Sequence, residues 1–251
     1  MAHKLEALHT VPASSWGVSI DGGATVYVSS GDCYMSSAAP GGTESLMTKL
    51  ATLLSATVAS TTVTGVVTSG ILRTRITWGS GSHSLTWVST TLRDRLGFTG
   101  NLSSAATHNA SNQPMGVWLP IGDPSGLLSS YGSLGSRESD KVTHVARSGK
   151  VWSTGYNKRT KQRLTWNGQT AAKMWKESEN AATNESAERL YEDFLASGKA
   201  LRWYQGTGTT GYQTALGENR DYYVTNPNFE PERMFRHDAA WRWTLDLVAY
   251  V

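Results

Sequence analysis

A chain of 251 residues with a net charge of +3 and 17% charged side chains has room for one β-rich domain or two of about 120 residues each. The small positive charge gives no mandate for nucleic acid, and the single cysteine, Cys33, excludes an intrachain disulfide framework or a thiolate cluster. Abundant Gly, Ser, Thr and Trp on a weakly charged background describe a β protein that meets other proteins over wide areas, not a soluble housekeeping enzyme.

Residues 1–20 read as an extended N-terminal arm with Pro12 inside it and Trp16 to Ile20 at its end. Residues 24–29 alternate, 33–37 follow after Ser30-Gly31-Asp32, and the spacing predicts a hairpin that holds Cys33 as a small core residue. Pro40-Gly41-Gly42 then breaks the chain. Thr43 is placed to cap a helix over 43–59 whose stripe is Leu46, Leu50, Leu53 and Leu54, with Glu44 in its first turn. The β-branched run 61–68 and the run 71–78 predict a second hairpin about Ser69-Gly70, and 85–88 a further strand.

Thr91-x-x-Asp94 resembles a capping box that opens one helical turn over Leu92 and Leu96. Gly97 suits the left-handed position that ends such a turn, and Phe98 folds back onto the core. Residues 99–116, with Asn101 near their start, carry no hydrophobic pattern and read as an arm reaching a neighbour, before Trp118 returns the chain to the core. The Gly/Ser-rich stretch 122–142 reads as a linker between a β-rich domain (21–121) and a second β-rich half (143–251).

In that second half, 142–145 and 151–153 predict a hairpin, and 162–166 a strand ended by the turn signal Asn167-Gly168. A helix over 185–197 starts at Asn184, buries Leu190, Tyr191, Phe194 and Leu195, and stops at Gly198. An aromatic strand carries Trp203 and Tyr204, another covers 212–216, and the closing strand puts Trp241, Trp243, Leu245 and Leu247 on one face. The fold class is therefore mainly β with a few short helices, in antiparallel sheets of sandwich or barrel-like form, with extended arms.

Catalytic patterns do not emerge. The six histidines stand singly, none at a metal-ligand spacing from another His, Cys, Asp or Glu, and no nucleotide-binding or nucleophile-elbow motif exists. Gly206 to Gly211 joins two strand-like runs and reads as a hairpin tip, not a phosphate loop. The acids at 185, 188, 192 and 193 read as the solvated face of the helix. Ten tryptophans leave two readings, burial in core or subunit interface and a glycan-stacking platform. The basic stretch 147–163 reads as a solvated hairpin face, or as a contact with passing DNA or an acidic neighbouring subunit. With no signal segment and no span of transmembrane length, the expectation is assembly in a reducing cytoplasm, with no membrane partner and no cofactor.

The leucine-striped helix from Ser45, the hairpin after it and SLTWVSTTLRDRLGFTGNL resemble a module of tailed-bacteriophage virion proteins over about residues 20–120. Residues 185–251, with Leu190-Tyr191-x-x-Phe194-Leu195, then Leu201 to Tyr204, then WRWTLDLVAYV, are similar to phage tail proteins. The resemblance implies a non-enzymatic virion subunit of the tail or head–tail junction, made in a bacterial host. It would form a ring, tube or adaptor from copies of itself and contact other tail, neck or capsid proteins, with DNA passing through a lumen. A receptor- or glycan-binding adhesin and a capsid decoration protein are the alternatives. Leu96, Gly97, Phe98, Asn101, Trp118, Trp203, Tyr204, Trp241 and Trp243 are the expected assembly and structural positions.

Overall fold

The computed structural model describes residues 2–36, 44–68, 70–122, 136–145, 151–179, 183–206, 212–214, 221–226, 228–234 and 240–250. In the first half the strands are β1 (Ala2–Ala7), β2 (His9–Val11), β3 (Gly17–Ile20), β4 (Val26–Tyr27), β5 (Gly31–Cys33), β6 (Thr62–Thr68), β7 (Ile71–Thr77), β8 (His83–Trp87), β9 (Leu102–Ala105), β10 (Thr107–Asn109) and β11 (Val117–Trp118). The second half adds β12 (Ser136–Val145), β13 (Val151–Gln169), β14 (Leu201–Gly206), β15 (Tyr212–Thr214), β16 (Tyr223–Val224), β17 (Glu232–Arg233) and β18 (Trp241–Tyr250). Four short helices intervene: α1 (Leu46–Ser55), α2 (Thr90–Arg95), α3 (Ala171–Met174) and α4 (Ala187–Asp193). The chain is mainly β, and its sheets are antiparallel, with strand orders β11-β1-β14-β15, β10-β7-β6, β12-β13-β18-β16, β2-β5 and β4-β3-β8-β9.

Hydroxyl side chains set the helix starts, serine at α1, α2 and α4 and Thr170 at α3. Ser45 Oγ accepts from the Thr48 N–H at 3.0 Å and Ser89 Oγ from the Leu92 N–H at 3.2 Å, while Ser186 caps α4. The expected caps Thr91 and Asn184 are displaced for a geometric reason: a cap needs extended backbone one residue before the first helical turn. Thr91 is already inside that turn, and Asn184 takes a left-handed φ of 58°. Thr43 lies outside the described residues, and Glu44 precedes the cap instead of lying in the first turn. The expected helix over 185–197 breaks at Phe194, and a 3-10 turn over Leu195–Ser197 closes it at Gly198.

The predicted hairpin about residues 69–70 is present as β6 and β7, in register from Thr62↔Thr77 to Thr68↔Ile71. The hairpin between 24–29 and 33–37 is not: β4 pairs with β3 and β5 with β2. Asn167-Gly168 does not end a strand either. β13 runs on to Gln169, and the register slips between Trp166 and Gln169 with Gly168 at φ 70°, so the turn signal is absorbed as a bulge.

Two expected arms are sheet. Within 1–20, β1 is a central strand, paired with β14 along its full length and with β11 at Leu5↔Trp118. Leu5 and Ala7 are fully buried. Residues 99–116 supply β9 against β8 and β10 against β7, with Ala110 and Gln113 buried behind them. Of the expected linker, residues 136–142 are strand β12, paired with β13, and 123–135 lie outside the described residues.

Two buried clusters result. The first gathers α1, β3, β7, β8 and the corner at Phe98 around Leu50, Trp87 and Leu92; the second gathers α4, β13, β14 and β18 around Trp118, Trp166 and Trp243. The second cluster also contains Leu5 and Ala7, so the halves are not separated at 122. Phe98 is 3% exposed, with its ring 5.2 Å from that of Trp87. Phe98→Ala is expected to cost about 3–5 kcal/mol in denaturant unfolding. An unchanged unfolding midpoint would contradict its role as an anchor.

Candidate functional site

Of the expected assembly positions, Leu96, Phe98, Trp118, Trp203 and Trp243 are in the interior and Asn101 is exposed. After α2, the Gly97 N–H donates to the Asp94 carbonyl at 3.0 Å and the Phe98 N–H to the Arg93 carbonyl at 3.1 Å. This is the paired hydrogen bonding of a left-handed helix stop. Gly97 has φ 83°, and a Cβ there would lie 2.3 Å from the Asn112 carbonyl oxygen, so no side chain fits. Leu96 is buried, and Asn101 Oδ1 accepts from the Trp87 N–H at 3.0 Å, fixing the chain where it leaves the corner. Trp118, Trp203 and Trp243 are buried and Trp241 is half-buried, while Tyr204 sits in β14 opposite Lys4 and Thr214. No tryptophan side chain among those described is exposed, which leaves none of them as a flat platform for a sugar ring.

Buried polar side chains join segments that are distant in the sequence. Gln113, fully buried, accepts from the Leu72 N–H through Oε1 at 3.3 Å and donates through Nε2 to the Val117 carbonyl at 2.7 Å. Its backbone N–H donates to Thr183, and Asn184 Nδ2 returns a bond to its carbonyl. Glu185 is not on an exposed helix face: it is 6% exposed and pairs with Lys173 at 3.2 Å, while Lys173 Nζ also donates to the Gly70 carbonyl. Lys4 and Glu6, neighbours on one face of β1, pair at 2.6 Å and share the Ser36 hydroxyl. Arg202 pairs with Asp221 at 2.9 Å and lies over the Tyr34 ring. Sequence reasoning missed Gln113, Lys173 and Glu6, because nothing local marks a polar residue whose partners lie tens of residues away.

These clusters are structural, and among the described residues no group of three or more His, Cys, Asp or Glu side chains could hold a metal ion. The basic stretch contributes Arg163, whose guanidinium meets the Asp246 carboxylate across β13 and β18 with two hydrogen bonds. Residues 147–150 of that stretch lie outside the described residues. The runs beside Gly206–Gly211 do pair as β14 and β15.

What remains open is strand edge. β6, TVTGVVT, has seven residues, no charge and no proline, and among the described residues pairs with β7 alone. Its closing pair, Thr68↔Ile71, is hydrogen-bonded in a two-residue hairpin, so alternate pairs down the ladder are too. The amides of Thr64 and Val66 therefore face β7, while those of Val63, Gly65 and Val67 face outward. Thr74, opposite Gly65, fits this alternation because its carbonyl accepts from Ala110 on the side away from β6. Natural monomers protect such edges with charges, bulges or proline. β6 has none of these.

No protein family, curated protein or solved structure was found to match the chain. No described helix is long and apolar enough to cross a membrane.

One charged pair on the surface has a pH signature. Asp21 accepts from the Ser84 N–H and hydroxyl and meets His83 Nδ1 at 2.7 Å, while His83 Nε2 faces the Ser80 carbonyl at 3.0 Å. With an acceptor at each ring nitrogen, the site suits the doubly protonated imidazolium. The hydrogen bond from His83, with those from Ser84, lowers the Asp21 carboxyl from 3.8 to about 2, and Asp21 raises His83 above 6.5. The Asp21 contribution is present above pH 3.8 and lost as pH falls through 2; the His83 contribution is present below 6.5 and lost as pH rises through its raised value. The stability difference between wild type and His83→Gln is thus expected to be largest between pH 3.8 and 6.5 and to shrink on both sides. A difference independent of pH would show that the pair is not charged.

Proposed function

We propose that the chain is a non-enzymatic structural subunit of a tailed-phage virion, assembling with copies of itself into a ring, tube or adaptor of the tail or head–tail junction. The observation that carries the assembly reading is the uncharged, proline-free open edge of β6. In a homo-oligomer such an edge is a device, because backbone hydrogen bonds continue the sheet into a neighbour without requiring a side-chain code. Head-to-tail repetition of one contact closes a ring wherever the rotation allows. The virion assignment rests on the sequence resemblance of residues 20–120 and 185–251. The burial of most of the described tryptophans favours this reading over the glycan-binding adhesin, which needs exposed aromatic faces.

Thr62 and Thr64 are exposed on one face of β6. Replacing both with lysine adds charge to the edge and is expected to change monomer stability by no more than about 0.5 kcal/mol. Sedimentation of the wild-type chain should show concentration-dependent oligomers, and the double variant should remain monomeric at the same thermal midpoint. A wild-type chain that stays strictly monomeric and does not bind phage particles overturns the proposal.

A further inference from the structure

Away from the open edge, a cavity of about 200 Å³ lies where β2, α2 and the end of α4 meet, with His9, Thr10, Trp16, Arg95, Phe194 and Lys199 in its wall. His9 is 2% exposed, and neither ring nitrogen has a protein hydrogen-bond partner; the Met115 carbonyl faces the ring but is outside hydrogen-bonding geometry. Arg95 Nη1 is likewise buried without a partner. Both groups are held against one aromatic ring. The Arg95 guanidinium lies 4.3 Å from the Phe194 centroid, and the His9 ring meets Phe194 edge-on at 5.0 Å. Gly116 completes the clamp, since a Cβ there would come within 2.8 Å of Phe194 and 3.0 Å of His9 Nε2.

Leaving buried polar groups unpaired is destabilising, so their grouping in one cavity wall is a feature that a ligand would explain. The charges select its class. Arg95 and Lys199 bring two positive charges and Asp193, also in the wall, one negative, a balance of +1 that suits a monoanion better than a phosphate dianion. A guanidinium fork matches the two oxygens of a carboxylate, and the Trp16 and Phe194 rings provide an apolar bed for the carbon stem behind it. We propose that this cavity binds one carboxylate group on a short aliphatic stem, with Arg95 as the principal ligand, His9 as a neutral hydrogen-bonding partner and Lys199 at the mouth, beside Thr10.

The same carboxylate could belong to a free small acid or to an Asp or Glu side chain of a second copy of the chain. Burial, followed by repulsion from Arg95 and Lys199, pushes His9 down to about 3; a bound carboxylate opposes both cations and moves it upward. Of the groups around the ring, the Met115 carbonyl opposes this depression, while Arg95 and Lys199 add to the effect of burial.

The test follows the His9 ring nitrogens by NMR in the full chain, titrated with sodium butyrate and separately diluted without it. Saturable butyrate-dependent shifts, with His9 titrating at higher pH when butyrate is present, are expected. Arg95→Gln should weaken binding at least about tenfold, the loss of a charge-assisted pair. Should Arg95→Gln prove unstable, Lys199→Met at the mouth serves instead and should weaken binding by a smaller factor. His9 shifts on dilution that butyrate reproduces by competition identify the side chain of a second copy as the source; shifts with butyrate alone identify a small acid. A His9 signal unmoved by both butyrate and dilution overturns the proposal, as does binding unaffected by both variants.

Discussion

The indole of Trp118 is the contact on which the rest of the structure depends. It meets Trp166 at 5.2 Å and Trp243 at 5.1 Å, both edge-on, and donates through Nε1 to the Lys173 carbonyl at 3.0 Å. Edge-on pairs of this kind add about 0.5–1.5 kcal/mol beyond the area they bury. Its neighbours Val117 and Leu119 belong to the other core. Successive residues of a strand point to opposite sides, so β11, only two residues long, is driven into both cores at once. Pairing of Leu5 with Trp118 then fixes β1, and β1 fixes β14.

The polar groups follow from that constraint. Where 113–119 runs between the cores, the buried Leu72 N–H and Val117 carbonyl find their partner in Gln113, and Lys173 and Gln169 bond the Gly70 and Ile121 carbonyls beside it. Buried ion pairs such as Lys173–Glu185 add little net stability against a hydrophobic replacement, but breaking one leaves a buried charge unpaired. Their effect here is to hold one arrangement of the halves.

Parts of this were legible in the sequence because their causes are local. The β6–β7 hairpin, the alternation of Trp243, Leu245 and Leu247, and the Leu96-Gly97-Phe98 corner each follow from a few adjacent residues. The rest depends on distant partners. β1 alternates Lys4 and Glu6 with Leu5 and Ala7 and reads as a mixed arm until Ser36 is placed beside it. β9 and β10, rich in Ser, Thr and Asn, have no apolar period because much of their surface is exposed, and their pairing with β8 and β7 is decided by those strands. Gly168 looked like a turn because a bulge asks for the same backbone freedom. The cavity at His9 was invisible for the same reason as Gln113: β2, α2 and α4 bring its wall together from across the chain.

Amide hydrogen exchange along β6, compared between dilute and assembled protein, tests the central claim that the open edge is where copies join. In the dilute chain the amides of Thr64 and Val66 should be protected by β7 while those of Val63, Gly65 and Val67 exchange freely. On assembly the outward set should become protected as well. An assembled species in which those three amides still exchange as in the dilute chain would contradict the account and move the contact elsewhere on the molecule.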